Sequence, residues 1–98
     1  MGITLFVTGE IQYGKLHQFF SALQDYQAYR KRKGWVIPTI YSGISGPMNR
    51  VLMVYHYQST SELESEEAQS NLDQEYATLA EKLAFREPSI SYDLYREV

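Results

Sequence analysis

Two histidines, nine tyrosines and no cysteine make up the chemical repertoire of this 98-residue chain. Histidine titrates near neutral pH, so His17 and His56 are the first candidates for moving a proton. His56 lies in Arg50-Val-Leu-Met-Val-Tyr-His-Tyr57, where strand alternation sets it beside Leu52 and Val54. It is the candidate catalytic acid or base; the competing reading is a hydrogen-bonded histidine at an interface. His17 falls in the first turn of a helical pattern, one residue off its apolar stripe. It is a candidate ligand-binding residue, set against an ordinary exposed histidine. Tyr41, Tyr55 and Tyr57 cluster at the base of a hairpin pattern. A buried phenol needs a hydrogen-bond partner, and a ligand can supply it, so these three are also candidate ligand-binding residues. The plainer alternative is core packing.

Several chemistries are excluded or disfavoured. Without cysteine there is no disulfide, thiolate nucleophile or sulfur-ligated metal. Two histidines on separate elements, with no carboxylates at ligand spacing, make no metal site. No cofactor is expected. No serine sits in a nucleophile elbow. Gly43-Ile-Ser-Gly46 lacks the Lys-Ser/Thr and the following helix of a phosphate loop. Glu62, Glu64, Glu66 and Glu67 are expected to be a solvated helix start, where carboxylates suit the dipole. Arg30-Lys-Arg-Lys33 followed by Gly34 is read as a helix C-terminus for the same reason, rather than as a phosphate site. Nine basic and twelve acidic residues give a net charge of −3, which disfavours a nucleic-acid partner. No apolar run approaches membrane-spanning length and no signal-peptide pattern opens the chain, so a cytoplasmic protein without a membrane partner is expected.

The elements that must position these residues follow from periodicity. One domain, residues 1–98, is expected. Ile3 to Ile11 alternates as a strand, with Ile3, Leu5, Val7 and Ile11 on one face and Thr4, Phe6, Thr8 and Glu10 on the other. Gly9 is expected to mark a bulge near its end. Leu16, Phe19, Phe20, Leu23 and Tyr26 form the stripe of a helix running to Lys33. Trp35 to Ser42 reads as a second strand at an edge, because Pro38 cannot donate to a ladder. Gly43 to Asn49, with its two glycines, Pro47 and Asn49, connects it to a third strand, Arg50 to Tyr57. Ser59 and Ser61 both match capping-box spacing for the next helix. A break near Gln69-Ser70 is expected, with Asn71 capping a second long helix that ends at Glu87-Pro88. Ile90, Tyr92 and Leu94 then alternate in a last strand. The order βαββαβ is the ferredoxin-like α+β arrangement, with a four-stranded antiparallel sheet.

Two helices cover one face of such a sheet. The other face carries Phe6, Leu52, Val54, His56 and Tyr95, too apolar a set to be left to water. At roughly 25 cal/mol per Å² of apolar surface, covering it is worth several kcal/mol before association costs. A second copy is the expected cover, and these five are the predicted dimer interface. Antiparallel pairing of the first and third strands would set Thr4 near His56, Phe6 near Val54, and Glu10 near Arg50. An RNA-recognition domain shares this strand order, but the third strand lacks its glycine-aromatic motif.

The Gly14-Lys15 opening of the first helix, Gly34-Trp35, Gly43-Ile-Ser-Gly-Pro-Met-Asn-Arg-Val51 and Ser59-Thr-Ser-Glu-Leu-Glu64 resemble the NIPSNAP family. The resemblance spans nearly the whole chain. It implies a dimeric α/β barrel, in which two ferredoxin-like protomers pair sheet to sheet. It implies no particular reaction. The wider superfamily includes cofactor-independent oxygenases, isomerases of small lactones and haem-degrading enzymes, with a pocket between sheet and helices. The expectation is a homodimer that binds a small apolar or aromatic ligand in that pocket. The alternatives are a cofactor-independent oxygenase or isomerase and an interaction module without catalysis.

Overall fold

A computed structural model describes residues 2–46 and 48–98. Its elements are β1 (Ile3–Glu10), α1 (Leu16–Lys33), β2 (Thr39–Ser42), β3 (Arg50–Tyr57), α2 (Thr60–Ser70), α3 (Gln74–Glu81), a 3₁₀ turn (Glu87–Ser89) and β4 (Ser91–Arg96). Among the described residues the strands form one antiparallel sheet in the order β2-β3-β1-β4. This is the expected ferredoxin-like α+β architecture.

The register follows from the alternation of apolar residues. Thr4 pairs with His56, Phe6 with Val54 and Glu10 with Arg50. A slip by one residue would turn Val7, Val51 and Met53 out of the core, so the pattern allows one register. Glu10, however, makes its ion contact with Arg86, 3.5 Å away, rather than with Arg50. Gly9 sits in regular register with Val51 and marks no bulge. It is glycine because a Cβ there would lie 2.8 Å from Cδ1 of the Phe85 ring, which packs against the strand.

Helix α1 ends as its sequence indicates. Gly34 adopts φ 75°, its N–H reaches Lys31 O, and the Trp35 N–H returns to Arg30 O. These are the two bonds of a Schellman cap. The stretch after it departs from expectation. Residues 35–38 are not strand, and β2 begins at Thr39. Val36 and Pro38 instead give their carbonyls to Arg30 Nε and Gln27 Nε2 of α1, so this segment is tied to the helix and not to the sheet. The edge position of β2 is as expected. Pro47, assigned to the hairpin connection from sequence, lies outside the described residues.

Helix α2 is capped by Ser59, whose Oγ accepts from Glu62 N, while Glu62 Oε1 accepts from Gln58 N. The break after Ser70 is present, but Asn71 closes α2. Asp73 caps α3, accepting from Tyr76 N at 3.0 Å. Nor does α3 run to Pro88. It ends at Glu81, and Ala84 turns the chain at φ 60°. Leu83 and Ala84 then enter the core as a loop rather than as a helix stripe.

The shortness of α3 has a consequence on the sheet. Tyr92 and Leu94 pair with Val7 and Leu5 on the helix-facing side, yet they are 68% and 51% exposed. The helices do not reach over β4, and the sheet is open there.

Candidate functional site

The opening left beside β4 is the mouth of a cleft of about 1040 Å³ between the sheet and α2 and α3. The apolar part of its walls comes from Leu5, Val7, Leu63, Leu83, Phe85 and Ile90, charged side chains come from Glu67, Glu81, Lys82, Arg86 and Glu87, and its inner end is polar. That inner end is built from Arg30, Glu66 and the tyrosines 26, 55, 57 and 76.

Arg30 is 1% exposed and Glu66 8%. Neither was expected inside: Arg30 was grouped with a basic helix end, and Glu66 with a solvated acidic run. Both are in phase with apolar neighbours. Arg30 stands four residues after Tyr26 on the α1 stripe, and Glu66 three after Leu63 on α2. That phase is the signal in the sequence that distinguishes them from Lys31, Arg32 and Glu64.

Once buried, each charge needs the other. Arg30 Nη2 lies 2.7 Å from Glu66 Oε1. Arg30 Nε donates to Val36 O at 2.6 Å, and Nη1 to Tyr76 Oη at 2.7 Å. Glu66 accepts from Val36 N at 3.1 Å and from Tyr57 Oη at 2.5 Å. The guanidinium carbon is 4.9 Å from the Tyr55 ring centre and under 6 Å from those of Tyr26, Trp35 and Tyr76, within cation–π range. Burial works against the Arg30 charge, but Tyr26, Tyr76 and Glu66 outweigh it and push its pKa up, so Arg30 is a permanent cation.

Three phenols continue the network. Tyr26 Oη lies 2.8 Å from both Tyr55 Oη and Tyr76 Oη. Tyr76 is oriented from two directions, by Asp73 at its backbone N–H and by stacking on Tyr26. Asp73 also accepts from Tyr29 Oη at 2.6 Å, which joins α3 to α1. Burial pushes the Tyr26, Tyr55, Tyr57 and Tyr76 hydroxyls far above the ordinary phenol range, and Glu66 adds to this at Tyr57. They are therefore neutral hydrogen-bond donors. As proton acceptors at neutral pH they are ineffective.

The residues singled out from sequence divide by sheet face. Tyr55 and Tyr57 line the cleft. Tyr41 does not: it pairs with Leu52 on the opposite face and is 54% exposed. Its register opposite Leu52, a residue of the helix-free face, sends Tyr41 outward. His17 is exposed in the first turn of α1 and is not part of the cleft wall. His56 is exposed on the helix-free face, its Nδ1 3.3 Å from Thr4 Oγ1. Phe6, Leu52, Val54 and Tyr95 share that face, with Phe6 and Tyr95 in edge-to-face contact at 5.2 Å. Among the described residues, no three His, Asp or Glu side chains are grouped as metal ligands. Among the described residues, no helix is long and apolar enough to cross a membrane.

The fold is shared with solved structures. A NIPSNAP family protein from Agrobacterium tumefaciens superposes with a TM-score of 0.78 at 15% identity, over 100% of this chain and 94% of that one. An uncharacterised NIPSNAP domain protein from Burkholderia xenovorans matches with a TM-score of 0.78 at 15% identity, over 98% and 94% of the two chains. A candidate antibiotic biosynthesis monooxygenase from Bordetella bronchiseptica matches with a TM-score of 0.75 at 18% identity, over 99% and 97%. No family model and no curated protein matches the sequence. The chain has the ferredoxin-like α+β fold that NIPSNAP proteins and antibiotic biosynthesis monooxygenase-like proteins share.

Proposed function

We propose that this protein is a NIPSNAP-like homodimer that binds a small apolar or aromatic ligand between its sheet and its helices. The observation that carries the reading is the cleft itself: partly apolar walls, a polar inner end and an open mouth beside β4. Such a combination is the usual form of a small-molecule site. A module with a filled core has no use for a space of this size. The test is a titration with fluorene and with 9-fluorenone, both planar and largely apolar, followed by backbone amide shifts. Changes centred on Leu63, Tyr76 and Ala80 are expected. Changes confined to the helix-free face, or none, would refute the reading.

The homodimer rests on that helix-free face. Phe6, Leu52, Tyr41 and Tyr95 lie there without a covering element from their own chain. The patch is self-complementary in kind, and a second copy covers both patches at once. Sedimentation at micromolar concentration is expected to give twice the chain mass of 11.4 kDa. A stable monomer overturns the assembly.

A catalytic reading, as a cofactor-independent oxygenase or isomerase, is favoured by the neutral phenols alone. Aimed donors stabilise charge that develops on a substrate oxygen. The strand geometry sets His56 on the other side of the sheet from the cleft. Turnover by such an enzyme is therefore expected to be unchanged in His56→Ala.

A further inference from the structure

The inner end of the cleft has more hydrogen-bond donors than acceptors. Tyr26, Tyr55 and Tyr76 bring three hydroxyl hydrogens to two oxygen–oxygen contacts. Each contact uses one hydrogen, so one remains, whichever way the chain is oriented. Tyr76 cannot lend a hydrogen to Arg30, because Arg30 Nη1 is itself a donor to Tyr76 Oη. At the Tyr55 end the nearest partner is the Met53 thioether at 4.0 Å, a weak acceptor. Arg30 adds to the surplus. Its Nη2 touches Glu66 Oε1 at 2.7 Å without the alignment of a hydrogen bond, and it has no aligned acceptor among the described residues. Leaving buried donors unmatched is costly, and a native site that does so is built for an acceptor from outside.

We infer that the Tyr26–Tyr55–Tyr76 hydroxyls, backed by Arg30, recognise an uncharged carbonyl-type oxygen on an otherwise apolar ligand. This rests on the cleft being a ligand site and names the chemistry of its inner end. Neutrality follows from charge. Arg30 is already balanced by Glu66. Around the mouth, Glu67, Glu81 and Glu87 outnumber Lys82 and Arg86. An anionic ligand therefore meets no net positive field. The acceptor must also bring no proton of its own, since the surplus is already of donors. A ketone or quinone oxygen meets both conditions, whereas a hydrocarbon offers no acceptor at all.

Three probes of similar shape separate the possibilities: 9-fluorenone, fluorene and fluorene-9-carboxylate, each titrated into the full chain by calorimetry. Fluorenone is expected to bind about tenfold or more tightly than fluorene, the worth of one good hydrogen bond. The carboxylate is expected to be the weakest of the three. Bound fluorenone is expected to show its carbonyl stretch at lower wavenumber than in an apolar solvent. In the triple variant Tyr26→Phe/Tyr55→Phe/Tyr76→Phe, which keeps the rings, the preference for fluorenone is expected to vanish while fluorene binds as before; a single Tyr→Phe change removes one hydrogen and one contact together and still leaves a donor over. Should circular dichroism show the triple variant to be unfolded, the lowered carbonyl stretch in the wild type decides. Equal binding of fluorenone and fluorene in the wild type, an unshifted carbonyl stretch, or a preference that survives the triple variant overturns the donor assignment and leaves the cleft as an apolar site. Tightest binding by the carboxylate overturns the neutral-ligand assignment. Binding by none of the three removes the cleft as a ligand site altogether.

Discussion

Arg30 and Glu66 show what a buried ion pair does in a small domain. The pair is nearly without solvent, and each partner is held by hydrogen bonds to the same backbone segment at Val36. Removing one charge leaves the other stranded. Arg30→Met is therefore expected to cost about 3–5 kcal/mol in urea unfolding. Arg30→Met combined with Glu66→Gln is expected to recover most of that, because the amide oxygen can still accept from Val36 N–H while the amide nitrogen donates to Tyr57 Oη. If the double variant is no more stable than the single, the charge argument fails. The surrounding phenols add a pH dependence. Their folded pKa values are raised above the unfolded value of about 10. Their contribution is fully present below that value and is lost as pH rises beyond it, since the unfolded chain sheds protons that the folded one retains. The melting temperature is expected to fall steeply above about pH 10. Absorbance of ionised tyrosine should show Tyr26, Tyr55, Tyr57 and Tyr76 titrating together with unfolding. Their smooth titration in the folded protein would contradict the burial argument.

At the scale of elements, the turn after α1 matters most to the site. The Schellman cap at Gly34 reverses the chain so that Val36 returns against Arg30 and Glu66. A Cβ at Gly34 meets nothing within 4 Å, so substitution tests the backbone alone. Gly34→Ala is expected to destabilise by about 1–2 kcal/mol, the cost of a left-handed non-glycine residue. A neutral result would mean that the cap is not under conformational constraint. The end of α3 was harder to foresee. Leu79 and Leu83 keep helical spacing, and Pro88 offers a natural stop, so periodicity extends the helix past its true end. What ends it at Glu81 is tertiary. Leu83, Ala84 and Phe85 are drawn down onto Ile11 and Gly9, where backbone bonds from Gln12 to Ala84 and from Arg86 to Glu10 hold them. Those contacts outweigh a few residues of helix, and they leave the cleft open.

For the whole molecule, the two faces of the sheet divide the work. The helix side carries the cleft, and the helix-free side carries the proposed dimer contact. A charge placed at the centre of the second face should separate the copies without touching the first. Leu52→Lys is expected to shift sedimentation toward the monomer while circular dichroism retains the native signature. An unchanged dimer would move the interface elsewhere. Fluorene binding by that monomer would then report whether the cleft is complete within one chain.

Alternation and helical spacing in the sequence determined the element order, the β1–β3 register and which residues share each sheet face, because these depend on local periods of two and 3.6. The capping of α1 and α2 was equally local, in Gly34 and in Ser59 with Glu62. The composition of the site was not local. Tyr55 and Tyr57 were visible as candidates, but Arg30 and Glu66 looked like members of charged surface runs. Whether a charge is buried depends on finding its partner, and these two are 36 positions apart on different helices. Only the packing of α1 against α2 and α3 brings the pair and the four phenols to one point, and only the early end of α3 opens a path to them.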